Sequence, residues 1–273
     1  MIARILCRPV LVAGLVITLT LLVVALLSLV WTPAVPSKMQ ILLKLKPPFS
    51  AGLFGTDQFG RDLTSMLMVG AWNSLSIALV AVTIGASIGT VIGVLVAARR
   101  GWAEIILMRI CDIIFALPPI LSAMMLGAFL GAGRFTAILA IATFMVPVFA
   151  RLTFGAALQI WTRDYVMAAI AIGRSKTKIT LIHILPNISN QIIVQVTIQL
   201  GLAILTEAGL SYLGLGMPPP APTWGRMLAD AQTFFGQAPW LALLPGLAIA
   251  LAVLGFNMLG DGLRDLFDPR ERR

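Results

Sequence analysis

Six apolar runs dominate this sequence, and each is long enough to cross a lipid bilayer. They lie at about 10–31, 74–98, 105–131, 135–159, 188–215 and 239–260. A helix of about 20 residues crosses the hydrocarbon core, and lipid-exposed irregular backbone is excluded there. With 59% hydrophobic and 11% charged residues, and a mean hydropathy of +0.97, the chain lies far outside the range of soluble proteins. The sequence therefore predicts an all-α membrane protein with six transmembrane helices.

The positions of the basic residues predict which end of this bundle faces the cytoplasm. With both termini inside, 14 of the 20 Lys and Arg residues fall on the cytoplasmic side, as the positive-inside rule requires. The formal net charge of +9 therefore requires no nucleic-acid partner. The first run is too long for the core of a signal peptide, so we expect a retained span. Cys7 and Cys111 are the two cysteines, and they indicate no disulfide framework.

One structured, basic segment interrupts the spans, YVMAAIAIGRSKTKITLIHILPN at 165–187. An apolar stretch runs into Gly173, and a second apolar stripe precedes Pro186. Between them lie the basic residues Arg174, Lys176 and Lys178. A membrane protein exposes such a segment outside the bilayer when another protein must grip it. We therefore expect a docking surface, and a solvated linker that serves topology alone is the alternative.

Two longer segments are predicted on the outer side. The first, at 32–70, contains four prolines and ends in GTDQFGRDL at 55–63, whose acids and arginine suit capping and turn bonds. The second, at 216–239, is stiffened by proline and is expected to lie flat on the outer face. We expect one membrane domain, with an N-terminal helix and outer loop at 1–70, a core at 71–262 and a cytoplasmic tail at 263–273.

Glycine and proline predict how the spans pack and bend. Gly85, Gly89 and Gly93 recur every four residues on one face of the second span. In lipid, such a ladder allows two helix backbones to approach closely, within this subunit or against another. Pro118–Pro119, Pro147 and Pro245 fall inside later spans and are expected to bend them.

The chemistry needed for a membrane-embedded enzyme is missing from the sequence. No GxxxxGK[ST] loop is present, so the chain carries no nucleotide-binding loop of that type, and His183 is the single histidine, so no metal site is expected. Three intramembrane polar candidates remain: Arg109, Asp112 and Glu207. Arg109 and Asp112 are three positions apart and can pair on one helix face, while Glu207 suits capping or interhelical bonding. A free-standing secondary transporter is the rival from another class.

Several motifs in order resemble the permease subunits of ATP-binding-cassette importers, in the branch that handles dipeptides, oligopeptides and nickel. GTDQFGRDL (55–63) resembles that family's motif ahead of the second span. MRICDIIFALPPIL (108–121) resembles its third-span signature, and residues 165–187 resemble its EAA loop. The series continues with TEAGLSYLGLG (206–216), PPAPTWGRML (219–228) and FNMLGDGLRDLFDPR (256–270).

This resemblance implies a type I importer permease fold, with a cytoplasmic coupling-helix loop at 163–187. It implies that the ATPase-coupling residues are Asp164, Tyr165, Met167, Ala168, Ala169, Gly173, Ser175, Ile184, Leu185 and Pro186. One residue departs from the family's pattern, because Met167 stands where that family usually has Glu at the start of the EAA signature. The resemblance implies that this acid braces the loop or its contact with the ATPase, so we expect Met167 to lack that brace while the docking role remains.

The resemblance also implies the partners and the cargo. We expect a second homologous permease, two cytoplasmic ATPases that use ATP and Mg, and an extracytoplasmic solute-binding protein, all at the bacterial inner membrane. This chain is expected to bind no cofactor itself and to hydrolyse nothing alone. Small peptides are the first substrate class, with nickel or a metal chelate, glutathione, or an oligosaccharide as alternatives.

Overall fold

The structure is a computed structural model that describes residues 8–267, and its regular elements in that range are helical. The described helices are α1 (Pro9–Leu27), α2 (Leu63–Arg99), α3 (Trp102–Ala116), α4 (Pro119–Leu130), α5 (Arg134–Trp161), α6 (Asp164–Ala171), α7 (Lys176–Ile179), α8 (Leu185–Tyr212), α9 (Trp224–Ala231) and α10 (Trp240–Phe267). Cys7 and most of the predicted cytoplasmic tail lie outside the described residues. The helix α2 begins at Leu63, within the part of the chain assigned to the outer loop.

Within residues 8–267, five helices are long and apolar enough to cross a membrane, and a sixth span results if α3 and α4 count as one. These five are α1, α2, α5, the continuous helical stretch Lys176–Tyr212, and α10. Four of the predicted runs therefore correspond to single helices, with ends that differ by a few residues or, for α2, by about three turns. The third run is instead divided between two helices, and the fifth belongs to a helical stretch that begins before residue 188.

The third predicted span is not one straight helix. Its two halves, Trp102–Ala116 and Ile120–Leu130, meet at an angle of 92°. Leu117 is extended, with φ −83° and ψ 128°, because the residue before a proline is driven out of the helical region. The prediction that Pro118–Pro119 bends this span is confirmed, and the bend is sharp enough to divide the span into two helices.

The fifth span begins earlier than predicted. The helical path runs from Lys176 to Tyr212, through a five-residue π-helical turn at Thr180–Ile184. Pro186 follows that turn directly, at the second residue of α8. The second half of the basic segment, from Lys176, is therefore continuous with the span that follows it.

The glycine ladder of α2 packs against α5 within this chain. A Cβ atom at Gly89 would overlap the carbonyl oxygen of Val146, and one at Gly93 would overlap the hydroxyl of Thr153. The two helix backbones therefore approach as closely as small residues allow. Of the two alternatives left open by the sequence, the structure shows packing inside the subunit.

The segment at 216–239 does not lie flat on the surface. Trp224 at the start of α9 is 1% exposed, and its indole Nε1–H donates a 3.1 Å hydrogen bond to the Leu67 carbonyl in α2. Asn73, also in α2, donates from Nδ2 to the Pro222 carbonyl at 2.7 Å. The prediction of a flat outer loop is wrong, because a buried tryptophan and these two bonds draw the segment between the spans.

Candidate functional site

The segment at 163–187, called here the coupling loop, is fixed to the bundle by one apolar face. Val166 and Ile179 are completely buried. They pack with Val94 and Ala97 at the end of α2, and with Ala157 at the end of α5. The short helices α6 and α7 therefore ride on the ends of two spans. The coupling loop is therefore in direct packing contact with α2 and α5.

The turn between α6 and α7 depends on Gly173. Its φ is +78°, in the left-handed region that side chains with a Cβ rarely adopt. The N–H of Arg174 donates to the Ala169 carbonyl at 3.1 Å, and the N–H of Gly173 donates to the Ile170 carbonyl at 2.9 Å. These bonds close the end of α6 as a glycine cap does.

Ser175 begins the second short helix. Its hydroxyl oxygen accepts a hydrogen bond from the Lys178 N–H at 3.4 Å, so it serves as the N-cap of α7. The Thr180 hydroxyl donates to the Lys176 carbonyl at 2.9 Å and closes the next turn. The two helices and their turn are thus built from local bonds, and no contact with the bilayer interior is required.

The opposite face of the coupling loop is exposed and largely apolar. Large apolar side chains at least 44% exposed on this face are Tyr165, Met167, Ile170, Ile172, Leu181 and Ile182. Arg174, Lys176 and Lys178 lie exposed beside them. Exposed apolar patches ringed by charge are typical of protein interaction surfaces. This face is suited to dock into a groove on another protein.

The predicted coupling residues divide between the two faces. Seven are exposed: Asp164, Tyr165, Met167, Ala168, Gly173, Ser175 and Pro186. Ala169 and Ile184 are buried and Leu185 is half-buried, so these three support the loop from inside. The apolar stripe predicted before Pro186 contains both Leu181, which is exposed, and Ile184, which is buried. The sequence analysis did not identify Ile170 and Ile172 as surface residues. The helical period from buried Val166 and Ala169 marks Ile170 and Ile172 as lying off the inner face.

His183 belongs to the structure of the loop. Its ring lies edge-to-face with Tyr165, with centroids 6.1 Å apart, so α6 is tied to the π-helical turn. Asn187 Nδ2 donates to the His183 carbonyl at 2.6 Å. Among the described residues, no group of three or more His, Cys, Asp or Glu side chains could hold a metal ion.

The intramembrane charges pair differently from the sequence prediction. Asp112 in α3 forms an ion pair with Arg151 in α5, and Arg151 also lies over the ring of Phe115, 4.8 Å from its centroid. Arg109 is exposed and has no partner within residues 8–267. The predicted pair of Arg109 with Asp112 is wrong, because a partner on the neighbouring helix reaches the carboxylate instead. That pair ties the broken third span to α5.

Glu207 is fully buried near the end of α8 that faces α9. The Ser211 hydroxyl donates to Glu207 Oε1 at 2.6 Å, and the hydroxyls of Ser74 and Thr223 also face the carboxyl group. No hydrogen bond of ordinary geometry reaches Oε2 from the described residues. Glu207 thus lies where α2, α8 and the segment entering α9 meet, and the interhelical role expected from the sequence fits this position.

The motif at 55–63 forms a compact turn at the bundle end opposite the coupling loop. Asp57 and Arg61 form a buried ion pair of 2.6 Å, and Asp57 Oδ1 also accepts the N–H groups of Phe59 and Arg61. Asp62 caps α2 by accepting from the Ser65 N–H at 2.8 Å. The capping and turn roles predicted for this motif are confirmed. It lies beside α9, where Asp57 and Arg61 line a small pocket with Met227 and Asp230.

This architecture and these motifs match known transport proteins. Over 259 residues the chain is 40% identical to the "Dipeptide transport system permease protein DppC" of Alkalihalophilus pseudofirmus, covering 95% of this chain and 85% of that protein. Over 217 residues it is 46% identical to the "Glutathione transport system permease protein GsiD" of Escherichia coli O157:H7, covering 80% of this chain and 72% of the relative.

A solved structure shares the fold. It is described as "Inward facing conformations of the MetNI methionine ABC transporter", and it superimposes with a TM-score of 0.62 at 22% identity, covering 74% of this chain and 97% of that one. The likeness supports the type I importer permease fold expected from the sequence. Residues 89–273 match the family described as "Binding-protein-dependent transport system inner membrane component". The chain belongs to this family of inner-membrane transport permeases.

Proposed function

We propose that this chain forms one half of the membrane path of an ATP-driven importer for small peptides. The dipeptide permease of Alkalihalophilus pseudofirmus supports this substrate class, because it matches 95% of the chain at 40% identity. The partner in the path is a second, homologous permease. A solute-binding protein delivers the peptide at the end of the bundle that carries the 55–63 turn and α9.

The observation that carries the proposal is the two-faced coupling loop. Its buried face holds the ends of α2 and α5, and its exposed apolar face, with Met167 56% and Ile172 73% exposed, is covered by no described part of the chain. One of the two separate ATPase subunits docks on that face. Closure of the ATPases around ATP and Mg moves the coupling loop, and the contacts of Val166 and Ile179 transmit the movement to the spans.

The orientation follows from charge. The coupling loop carries Arg163, Arg174, Lys176 and Lys178, and α10 ends near Arg264 at the same side of the chain's predicted topology. By the positive-inside rule this side faces the cytoplasm, together with both termini. The chain itself binds no cofactor and no nucleic acid in this proposal, and lipid is its solvent.

Glutathione is the second candidate substrate. It is itself a tripeptide, and the permease of Escherichia coli named for its transport is 46% identical over 80% of this chain. The same path and the same coupling surface serve either cargo. The choice between them lies with the binding protein.

The proposal is tested by reconstituting this chain with its second permease and two ATPases in proteoliposomes, with the binding protein on the outer side. We expect ATP-dependent uptake of a labelled dipeptide, and no ATP hydrolysis by this chain alone. Glutathione uptake without dipeptide uptake would select the second candidate. Uptake by this chain alone, driven by an ion gradient without ATP, would instead establish a secondary transporter.

A thermal-shift measurement on the binding protein separates the cargo classes further. A ligand raises the melting temperature according to its concentration relative to its dissociation constant. We expect stabilisation by small peptides. A shift with a nickel chelate or an oligosaccharide, and none with peptide pools or glutathione, would overturn the peptide assignment.

A further inference from the structure

A large open cavity lies near the coupling loop, between α5, α8 and α10. Its volume is about 620 Å³, and it is lined on α8 by the amides of Asn187, Asn190, Gln191 and Gln195, and on α10 by Arg264. Leu152, Val194, Ile198 and Phe267 supply apolar walls. The volume lies within the range of about 300–1,000 Å³ that small-molecule sites occupy.

The amides of this cavity form a row along one helix face. Asn187, Gln191 and Gln195 are spaced by four residues, so they lie above one another on α8. At a rise of about 1.5 Å per residue, the row climbs roughly 12 Å into the span. The side chains of Asn190, Gln191, Gln195 and Arg264 make no hydrogen bond or ion pair with another described residue. These groups are available to a ligand.

Lipid is not a suitable neighbour for this face. A polar side chain without a partner is costly in hydrocarbon, and such residues in membrane spans face cavities or water. Close packing of a partner helix is also disfavoured, because helix interfaces in membranes use small side chains, and long amides and an arginine hold backbones apart. Ile193, on the opposite side of α8, is 44% exposed and apolar, as a lipid-facing residue should be.

We propose that this amide row and Arg264 form a peptide-binding site on the cytoplasmic half of the translocation path, an inference that rests on the proposed function. Each amide offers both donors and an acceptor, which match the N–H and C=O of a passing peptide bond. The guanidinium of Arg264 pairs with the free carboxylate at the peptide's C-terminus. The apolar walls accept side chains without selecting among them.

The test uses the assembled transporter in nanodiscs, in a background with Cys7→Ser and Cys111→Ala. Gln191→Cys and Gln195→Cys are compared with the matched control Ile193→Cys, using a water-soluble methanethiosulfonate reagent. Since the reagent attacks a hydrated thiolate, we expect labelling at 191 and 195 to be at least about tenfold faster than at 193. A dipeptide added directly, without binding protein, should slow labelling at 191 and 195.

The role of Arg264 is tested in the same assay. We expect Arg264→Gln to raise by about tenfold the dipeptide concentration that protects position 191, the effect of losing a charge-assisted hydrogen bond. A dipeptide amidated at its C-terminus should protect position 191 at the same concentration with Arg264 or with Arg264→Gln, because it has no carboxylate. Arg264→Lys should retain most of the protection by the dipeptide with a free carboxylate.

Two results would overturn the proposed peptide-binding site. Labelling at 191 and 195 as slow as at 193 would mean that another subunit covers this face. Fast labelling without protection by any dipeptide would mean a water-filled cavity that binds no cargo. Either result is separable from a failure of the proposed function, because that function requires ATP-dependent uptake by the complex with wild-type residues at 191, 195 and 264.

Discussion

The side-chain amide of Asn73 in α2 donates a 2.7 Å hydrogen bond to the carbonyl of Pro222, 149 positions later in the chain. Both groups are buried, so this bond joins the second span to the segment that leads into α9. Thr223, the next residue, caps α9 by accepting the Arg226 N–H at 3.2 Å. The buried position of α9 thus depends on a few polar contacts at its entrance.

Replacing Asn73 should loosen α9. In Asn73→Leu the Pro222 carbonyl is left buried without its donor, which costs about 1–3 kcal/mol of stability. We expect a lower melting temperature in detergent micelles. Thr83→Val is the matched control, since the exposed Thr83 hydroxyl bonds only to Leu79 in its own helix. Equal melting temperatures for the two variants would show that the Asn73 contact contributes nothing.

The second prediction concerns Gly173. A Cβ at this position would meet nothing within 4 Å, so any defect must come from its φ of +78° and not from a clash. Gly173→Val should therefore strain the turn by more than about 1 kcal/mol, because β-branched residues avoid this region. We expect normal membrane insertion, but loss of ATPase assembly or of coupling between hydrolysis and uptake.

Asparagine supplies the control at this position, since it tolerates the left-handed region better than other residues with a Cβ. Gly173→Asn should retain most of the uptake rate in proteoliposomes. If Gly173→Val and Gly173→Asn both transport at the wild-type rate, the coupling loop is a solvated linker, as the alternative left open by the sequence holds.

Hydropathy predicted six spans, a number that the described helices reach when the bent pair α3 and α4 counts as one, because burial in lipid is a property of long runs and needs no knowledge of partners. It did not predict that the bend at Leu117 reaches 92°, since a proline pair marks a bend without giving its angle. Nor could sequence spacing choose between Arg109 and Arg151 as the partner of Asp112, because helix packing decides that contact.

The coupling loop was located from its composition, whereas its two faces required the structure. Ile184 and Leu181 read alike in sequence, yet Ile184 is fully buried and Leu181 is 60% exposed. The amide row of α8 could have been predicted from the sequence, but the sequence analysis did not identify it. Asn187, Gln191, Gln195 and Gln199 recur every four residues in an otherwise apolar span, which is the signal of a face turned away from lipid.

The third prediction concerns Met167, which stands where the importer permeases that the EAA loop resembles usually have Glu. Met167 is 56% exposed on α6, so changes here alter the docking surface without disturbing the buried face. Met167→Ala should weaken ATPase binding moderately, since a flexible side chain that fits irregular grooves is lost. Met167→Glu should still assemble. Titration of the ATPases onto the permease pair in nanodiscs measures both, and complete loss of assembly in Met167→Glu would show an apolar partner site.

The last prediction concerns pH and Asp230 in α9, outside the spans. Burial raises the pKa of Asp230, and the nearby guanidinium groups of Arg226 and Arg61 oppose that rise, while the Asp57 carboxylate adds to it. Arg226 Nε lies 3.1 Å from Asp230 Oδ1, an ion pair and not a well-aligned hydrogen bond. The folded state therefore binds the proton of Asp230 more tightly than the unfolded state does.

This difference fixes the sign of the pH dependence. Between the ordinary aspartate pKa of about 3.9 and the raised pKa of the folded state, the folded protein holds more protons, so its stability falls as pH rises. Asp230→Asn removes this titration and leaves Asp57 in place. We therefore expect the melting temperature of the wild type, relative to Asp230→Asn, to decline as pH rises from 4 and to level off once Asp230 is ionised. If the melting temperatures of the two proteins differ by the same amount at every pH from about 4 to 8, the raised pKa is contradicted. A group with a shifted pKa must change that difference across this range of pH.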